Sequence, residues 1–518
     1  MNWLVNVLQF IGNQILNVPA YLVGIIVAIG LIALGKSAGQ VIGGALKAIL
    51  GFLILGAGAG VVVAALEPLG GLVLAVTGSE GVVPTNEVIT ALAADTYGAT
   101  SAYILSLGFV LMLGLARFTP LRYIFLTGHH MVFMAMLLSV VLSIGFGDGL
   151  TWLTVLVGAF LLAVIMVVMP AFAHPWMKRV TGNDVIAIGH FGTLGYIAAG
   201  AAGSAVGKNS PSTEDIQFPQ GLKFLRDSMV ATALSMVLIY LVFAVWGLIA
   251  LGDKALPFME ADDGGAFIMA AIMQGLMFGV GVSVILYGVR TFLGELIPAF
   301  QGIAKKVVPD AKAALDVPIV FPYGQNAVLI GFISSFAGGL VMLLVLGIWL
   351  GPAFGLAIIL PGMVPHFFTG GGAGVFGNAA GGRRGAVVGG FVNGLLITIL
   401  PAFLYSVMSG IGLTGTTFGD ADFGWFGSLV GLSVRGDSVV LGVVLTVLLG
   451  VVLLIAGIVW QKRVVDSGWM PAVEHQRFVD ERTAAEKAET AAALATRKAE
   501  RAAAKKDTAD APTRKDLP

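Results

Sequence analysis

Residues 184–203 read DVIAIGHFGTLGYIAAGAAG, and residues 361–382 read PGMVPHFFTGGGAGVFGNAAGG. Both stretches are apolar enough for a bilayer, yet glycine or proline interrupts them and each carries a histidine. Broken backbone is tolerated at membrane depth only where it is buried in protein or lines a polar cavity. Two such segments among ordinary apolar spans therefore point to a polytopic membrane protein with an internal binding site. The plainer alternative, close helix packing at small residues, serves equally well for any single one of the 72 glycines.

Composition agrees. Of 518 residues, 57% are hydrophobic and 11% charged, against roughly 25% charged in a soluble domain. Residues 462–518 hold 22 of the 58 charged side chains, so the preceding chain is poorer still. This sets a membrane domain, 1–461, apart from a charged Ala/Lys/Glu/Arg-rich tail, 462–518, which is helical or disordered because it lacks apolar residues for a core. No basic stretch precedes Lys36, so no cleavable signal is expected and the first span directs insertion. A net charge of zero says nothing about nucleic acid. With no cysteine, disulfides, thiolate metal sites and a phosphocysteine are excluded on this chain.

Apolar stretches of about 20 residues fall at 19–35, 48–68, 100–116, 124–147, 151–171, 228–251, 266–287, 327–350, 353–369, 386–409 and 438–461. The expected fold is thus all-α, with about eleven membrane spans and added re-entrant or discontinuous helices. Lys and Arg cluster at 36–47, 117–122, 178–179, 208–226, 305–312, 383–384 and 462–463, at alternate ends of successive spans. The N-terminus is then expected outside and the C-terminus inside; Lys254 and Arg435 do not fit. An internal echo, Asn86-Glu-Val followed by His129 and His130 and Asn326-Ala-Val followed by His366, is of the kind left by inverted repeats. Residues 288–304 continue too far to belong to the span before them. They read as an amphipathic interfacial helix in which Arg290 and Glu295 are solvated and have no transport role.

Polar groups in a membrane are costly and mark sites by default. His129, His130, His190 and His366 lie in apolar or glycine-rich segments, whereas His174 and His475 lie beside loop or tail residues. Asn86, Glu87, Asp316, Gln325 and Asn326 stand at span boundaries. Imidazole, carboxamide and carboxylate groups supply the mixed donors and acceptors that a polyhydroxylated ligand needs, with Phe133 or Phe191 as a face for a ring. A metal is disfavoured, because adjacent His129 and His130 project about 100° apart on a helix. No cofactor is expected.

At these positions the chain resembles the membrane IIC component of the ascorbate-specific phosphotransferase system. The stretches concerned are LKAILGFLILGAGAG at 46–60, RYIFLTGHH at 122–130, IAIGH at 186–190, GVRTFLGELIPAFQGI at 288–303, QNAV at 325–328, and PGMVPHFF with GVFGN and GGRRGA after it. The resemblance implies an eleven-span protomer in a homodimer, with a substrate-holding core domain that moves against a scaffold domain in an elevator-like manner. It implies L-ascorbate or a similar sugar-like solute as ligand, phosphorylated by separate soluble IIA and IIB proteins in a bacterial cell membrane. It also implies a ligand shell of Asn86, Glu87, His129, His130, Met131, Val132, Phe133, His190, Phe191 and Asp316. Two rival classes remain: a proton- or sodium-coupled secondary transporter using Asp316 or Glu87, and a membrane-embedded enzyme with a histidine-lined site.

Overall fold

A computed structural model describes residues 19–78, 81–147, 151–216, 228–308, 311–408, 412–436 and 438–509. The first 18 residues, part of the basic stretch 208–226 and the end of the tail lie outside them. The chain is mostly helical: α1 (Pro19–Ala33), α2 (Ala38–Thr77), α3 (Asn86–Phe118), α4 (Gly128–Phe146), α5 (Thr151–Thr181), α6 (Thr193–Val206), α7 (Ser228–Leu251), α8 (Gly264–Val307), α9 (Gln325–Val345), α10 (Gly371–Met408), α11 (Ala421–Ser433), α12 (Val439–Trp460) and α13 (Val473–Ala509). Among the described residues, nine helical stretches are long and apolar enough to cross a membrane.

Ten of the eleven expected spans coincide with helices, although α1 is short and several helices begin earlier than hydropathy alone suggests. The exception is 353–369. Pro352, Gly355, Pro361, Gly362 and Pro365 break it into a helical turn ending at Phe354, a two-residue strand, another turn, and a π-helical turn His366–Gly370 that leads into α10. Proline removes a helical donor and disfavours helix in the residue before it, so apolarity here marks burial rather than a span. A second correction concerns 288–304: this stretch is the uninterrupted continuation of α8, with Pro298 inside the helix.

Six short strands sit among the helices: β1 (Gly81–Pro84), β2 (Tyr123–Phe125), β3 (Ile186–Ile188), β4 (Lys312–Leu315), β5 (Ile358–Ile359) and β6 (Thr416–Thr417). They form two all-parallel sheets, ordered β5-β1-β6 and β2-β4-β3. The first half of the chain thus supplies the centre of one sheet and both edges of the other, and the second half does the reverse. Every strand is followed by a helix or helical turn. Because the strands are parallel, helix N-termini collect at one end of each sheet.

Packing follows glycine. The backbones of α6, α9 and α10 touch where a side chain would not fit: a Cβ on Gly203 would lie 2.8 Å from the Gly377 carbonyl oxygen, and one on Gly390 would lie 2.6 Å from that of Gly331. Helices α1, α2, α7 and α8 form a second group, while α3, α4 and α5 pack on one another, with α11 against α4 and α12 against α5. Helix α10 bends at Gly381 and Gly382, the latter at φ 57°. The GGGAGVFGNAAGG run is therefore a kinked helix entered through a π turn.

The tail is helical through Ala509, and its start is docked. Arg179, at the end of α5, donates to the Pro471 carbonyl and to Gln476 Oε1, the latter at 2.6 Å. His475 Nδ1 lies 3.0 Å from the Gly207 carbonyl, and Lys208 pairs with Glu474 at 2.6 Å.

Candidate functional site

A cavity of about 520 Å³ opens beyond the C-terminal ends of the two sheets. Residues following all six strands line it: Asn86 and Glu87 after β1, His129, His130 and Phe133 after β2, His190 after β3, Asp316 after β4, Val364 and Pro365 after β5, and Asp420 after β6. Local sequence explains the placement. Gly189 lets β3 approach β4, since a Cβ there would lie 2.5 Å from the Ala314 carbonyl oxygen. Asp316 follows β4 and caps the next turn by accepting from the Val317 N–H at 2.7 Å, with Pro318 next. Thr85, Thr127 and Asp420 occupy the N-cap positions of α3, α4 and α11, although none of the three side chains bonds to a helix N–H there.

Two of the imidazoles are held in a defined tautomer. His190 Nδ1 receives the Gly192 N–H at 2.9 Å and lies 3.0 Å from the Tyr196 hydroxyl, while His130 Nδ1 receives the Phe191 N–H at 3.3 Å. A neutral imidazole that accepts at one nitrogen carries its proton on the other, so both rings present Nε2–H as a donor. The acceptors stand nearby: Asp316 lies 3.5 Å from His129 Nε2 and 3.9 Å from His190 Nε2, and Asp420 lies 3.9 Å from His130 Nε2. Asn86 donates to Asp420 Oδ2 at 2.8 Å and accepts from the Gly419 N–H at 2.8 Å. Glu87 is buried, and its Oε2 has no partner.

The donor atoms of His130, His190 and Asp420, and those of His129, His130 and Asp316, come within 4.8 Å of one another. Coordination through Nε2 would require Nδ1 of His130 and His190 to carry the proton, and that proton would face the backbone N–H groups already aimed there. The donor set fits a hydrogen-bonding ligand and does not fit a metal ion.

Of the residues expected at the site, Asn86, Glu87, His129, His130, Phe133, His190 and Asp316 line the cavity. Met131, Val132 and Phe191 are buried in the core, and Phe191 stacks on Phe125 with ring centroids 4.8 Å apart. His366 is buried against Ser335 Oγ at 2.8 Å and serves packing, although its neighbour Pro365 reaches the cavity. His174 is buried, and its Nε2 meets Asp184 and Lys312. Sequence reasoning passed over Asp420 and set Arg290 aside as a solvated interfacial charge; both are in the lining. The signal for Asp420 was present: two carboxylates, Asp420 and Asp422, interrupt an otherwise apolar run. Asp422 supports the site from behind, accepting the Thr193 and Leu194 N–H groups at 2.9 and 3.1 Å. Glu295, expected to be solvated, pairs with Lys47 at 2.9 Å.

Helices of membrane-spanning length, broken around a buried polar cavity, define a multi-pass membrane permease. The family model described as the PTS system sugar-specific permease component (EIIC-GAT) matches residues 14–422. The chain belongs to that family. It is also 28% identical over 438 residues to the ascorbate-specific PTS system EIIC component of Mycoplasma pneumoniae, a match that covers 77% of this chain and 66% of that protein.

Proposed function

We propose that this chain is the membrane subunit of a phosphoenolpyruvate-dependent phosphotransferase system that binds and carries inward L-ascorbate or a related sugar-like solute. The observation that carries the reading is the pairing of fixed Nε2–H donors on His130 and His190 with the acceptors Glu87, Asp316 and Asp420 around one cavity. Alternating donors and acceptors match vicinal hydroxyls, and Phe133 offers a ring face. The similarity to an ascorbate-specific component supports the choice of ligand.

In this reading the two halves of the chain are inverted repeats, supported by their exchange of sheet centres and edges. The unit 1–461 works as a homodimer in which the elements that carry the imidazoles and carboxylates move as a substrate-holding core against a scaffold that includes α1, α2, α7 and α8. The N-terminus is outside, and the docked tail, 462–518, faces the cytoplasm. Soluble IIA and IIB proteins bring the phosphoryl group there, and phosphorylation traps the solute. Saturable binding of radiolabelled L-ascorbate to the purified chain, lost in His190→Ala and in Asp316→Ala, is the expected result. Unchanged binding in both variants would move the site elsewhere.

The unpartnered Glu87 Oε2 favours one second reading, a cation-coupled transporter with Glu87 as the coupling carboxylate. Vesicles without soluble phosphotransfer proteins separate the two, since only a coupled transporter accumulates unmodified solute in them.

A further inference from the structure

We infer that Arg290 is the counter-ion for the solute, and that the cavity therefore selects a singly charged polyhydroxylated anion over a neutral polyol of the same shape. The inference rests on the cavity being the solute site, and not on the solute being ascorbate.

The cavity has two unlike walls. One carries the carboxylates of Glu87, Asp316 and Asp420 together with the imidazoles. The other is a face of α8 on which Arg290, Gly294 and Pro298 recur at intervals of four residues, the spacing that brings side chains above one another on a helix. Gly294 has no side chain to occupy the space between Arg290 and Pro298, so the guanidinium has room to meet a guest.

Arg290 is exposed and forms no ion pair with any described residue, although three carboxylates line the same cavity. The neighbouring charge on α8, Glu295, is already neutralised by Lys47. The carboxylates are engaged on their own wall: Asp420 by Asn86, Asp316 by the Val317 N–H and by facing His129. Glu87 lies in the first turn of α3 and Asp420 at the N-cap of α11, where the helix dipole favours negative charge. These contacts engage the carboxylates on their own wall and leave the guanidinium without an ion-pair partner among the described residues.

A guest completes the arrangement. Its hydroxyls face the imidazoles and carboxylates, and its negative charge, repelled by that wall, turns toward the guanidinium, whose fork suits a planar anion. A neutral polyol would satisfy the first wall but strip water from Arg290 with no return. Arg290 belongs to the group of α2, α7 and α8, whereas the other polar ligands belong to α3, α4, α11 and the strand ends. The charge contact therefore spans two helix groups and is lost whenever they slide apart.

The test measures equilibrium binding to the full chain in detergent for wild type, Arg290→Gln and Arg290→Lys. The probes are L-ascorbate, an anion at neutral pH, and its uncharged 3-O-methyl ether; a second acid and polyol pair is galactonate and galactitol. Arg290→Gln is expected to weaken the anion about tenfold or more and the ether by less than about twofold, with Arg290→Lys between. Added salt should weaken the anion in wild type only. Equal loss for both members of a pair, or no loss for the anion, overturns the inference. If wild type ignores both ascorbate probes, the substrate proposed above fails by itself, and the second pair decides for Arg290: preference for galactonate that disappears in Arg290→Gln sustains it, and equal or stronger binding of galactitol overturns it. Absence of saturable binding of all four probes overturns both.

Discussion

Asn86 and Asp420 stand 334 positions apart, yet Asn86 Nδ2 donates to Asp420 Oδ2 at 2.8 Å while Asn86 Oδ1 accepts the Gly419 N–H at the same distance. One carboxamide thus ties the start of α3 to the turn that opens α11, and both ends of the tie are buried. Asn86→Ala leaves an N–H and a carboxylate without partners and is expected to destabilise by about 2 to 4 kcal/mol. Asn86→Asp should be worse, because it sets two carboxylates face to face. Thermal unfolding in detergent, followed by intrinsic fluorescence, gives the order; a milder effect of Asp than of Ala would contradict it.

Asp422 acts without reaching the cavity. It accepts the first N–H groups of α6 and the Trp425 indole N–H at 2.9 Å, and Thr193 in turn bonds to the His190 carbonyl. Asp422→Ala should therefore lower stability by about 2 to 3 kcal/mol and weaken solute binding through a displaced His190. Asp422→Asn, which keeps one acceptor, should fall between. Paired unfolding and binding titrations check this, and a stability loss with unchanged affinity would separate Asp422 from the site.

Glycine is required at some positions and idle at others. A Cβ at Gly394 would overlap the Ser335 carbonyl, whereas one at Gly114 would meet nothing within 4 Å. Gly394→Ala should force α9 and α10 apart and cost about 1 to 3 kcal/mol. Gly114→Ala, in the interior of α3, should be neutral or stabilising by up to about 1 kcal/mol. Melting temperatures of the two variants give the comparison directly.

The start of the tail helix should release on acidification. Burial, aided by Arg179, pushes the His475 pKa below the ordinary imidazole value, against backbone hydrogen bonds that raise it. The docked helix therefore holds fewer protons at His475 than a released one. Its docking is complete above the ordinary imidazole pKa and is lost as pH falls through the lower docked value. A fluorophore on Ala484→Cys, the sole thiol in a chain without cysteine, should lose anisotropy as pH falls from about 7.5 to about 5. The same probe with His475→Ala should show no such transition.

Hydropathy and charge placement determined by themselves that this is a membrane protein with a charged C-terminal stretch and glycine-broken apolar segments. Each of these is a local property, set by the cost of exposing backbone or charge to hydrocarbon. His129, His130 and His190 were legible as well, because an imidazole in an apolar segment is costly and stands out, and the structure puts all three in the cavity lining. Tertiary structure alone decided the rest. Met131 and Val132 follow the cavity-lining histidines but turn into the core, since successive residues on a helix face different directions, and Phe191, in the turn before α6, is drawn inward by stacking on Phe125. Proline and glycine converted an apolar stretch from a span into a strand and three short helical turns. Asp420 and Arg290 reached the cavity through strand exchange between the two halves and through the unbroken length of α8. The Asp420/Asp422 pair marks a polar spot in an apolar run, but which cavity it and Arg290 reach is set by pairing between strands distant in sequence and by helix packing, which no local pattern encodes.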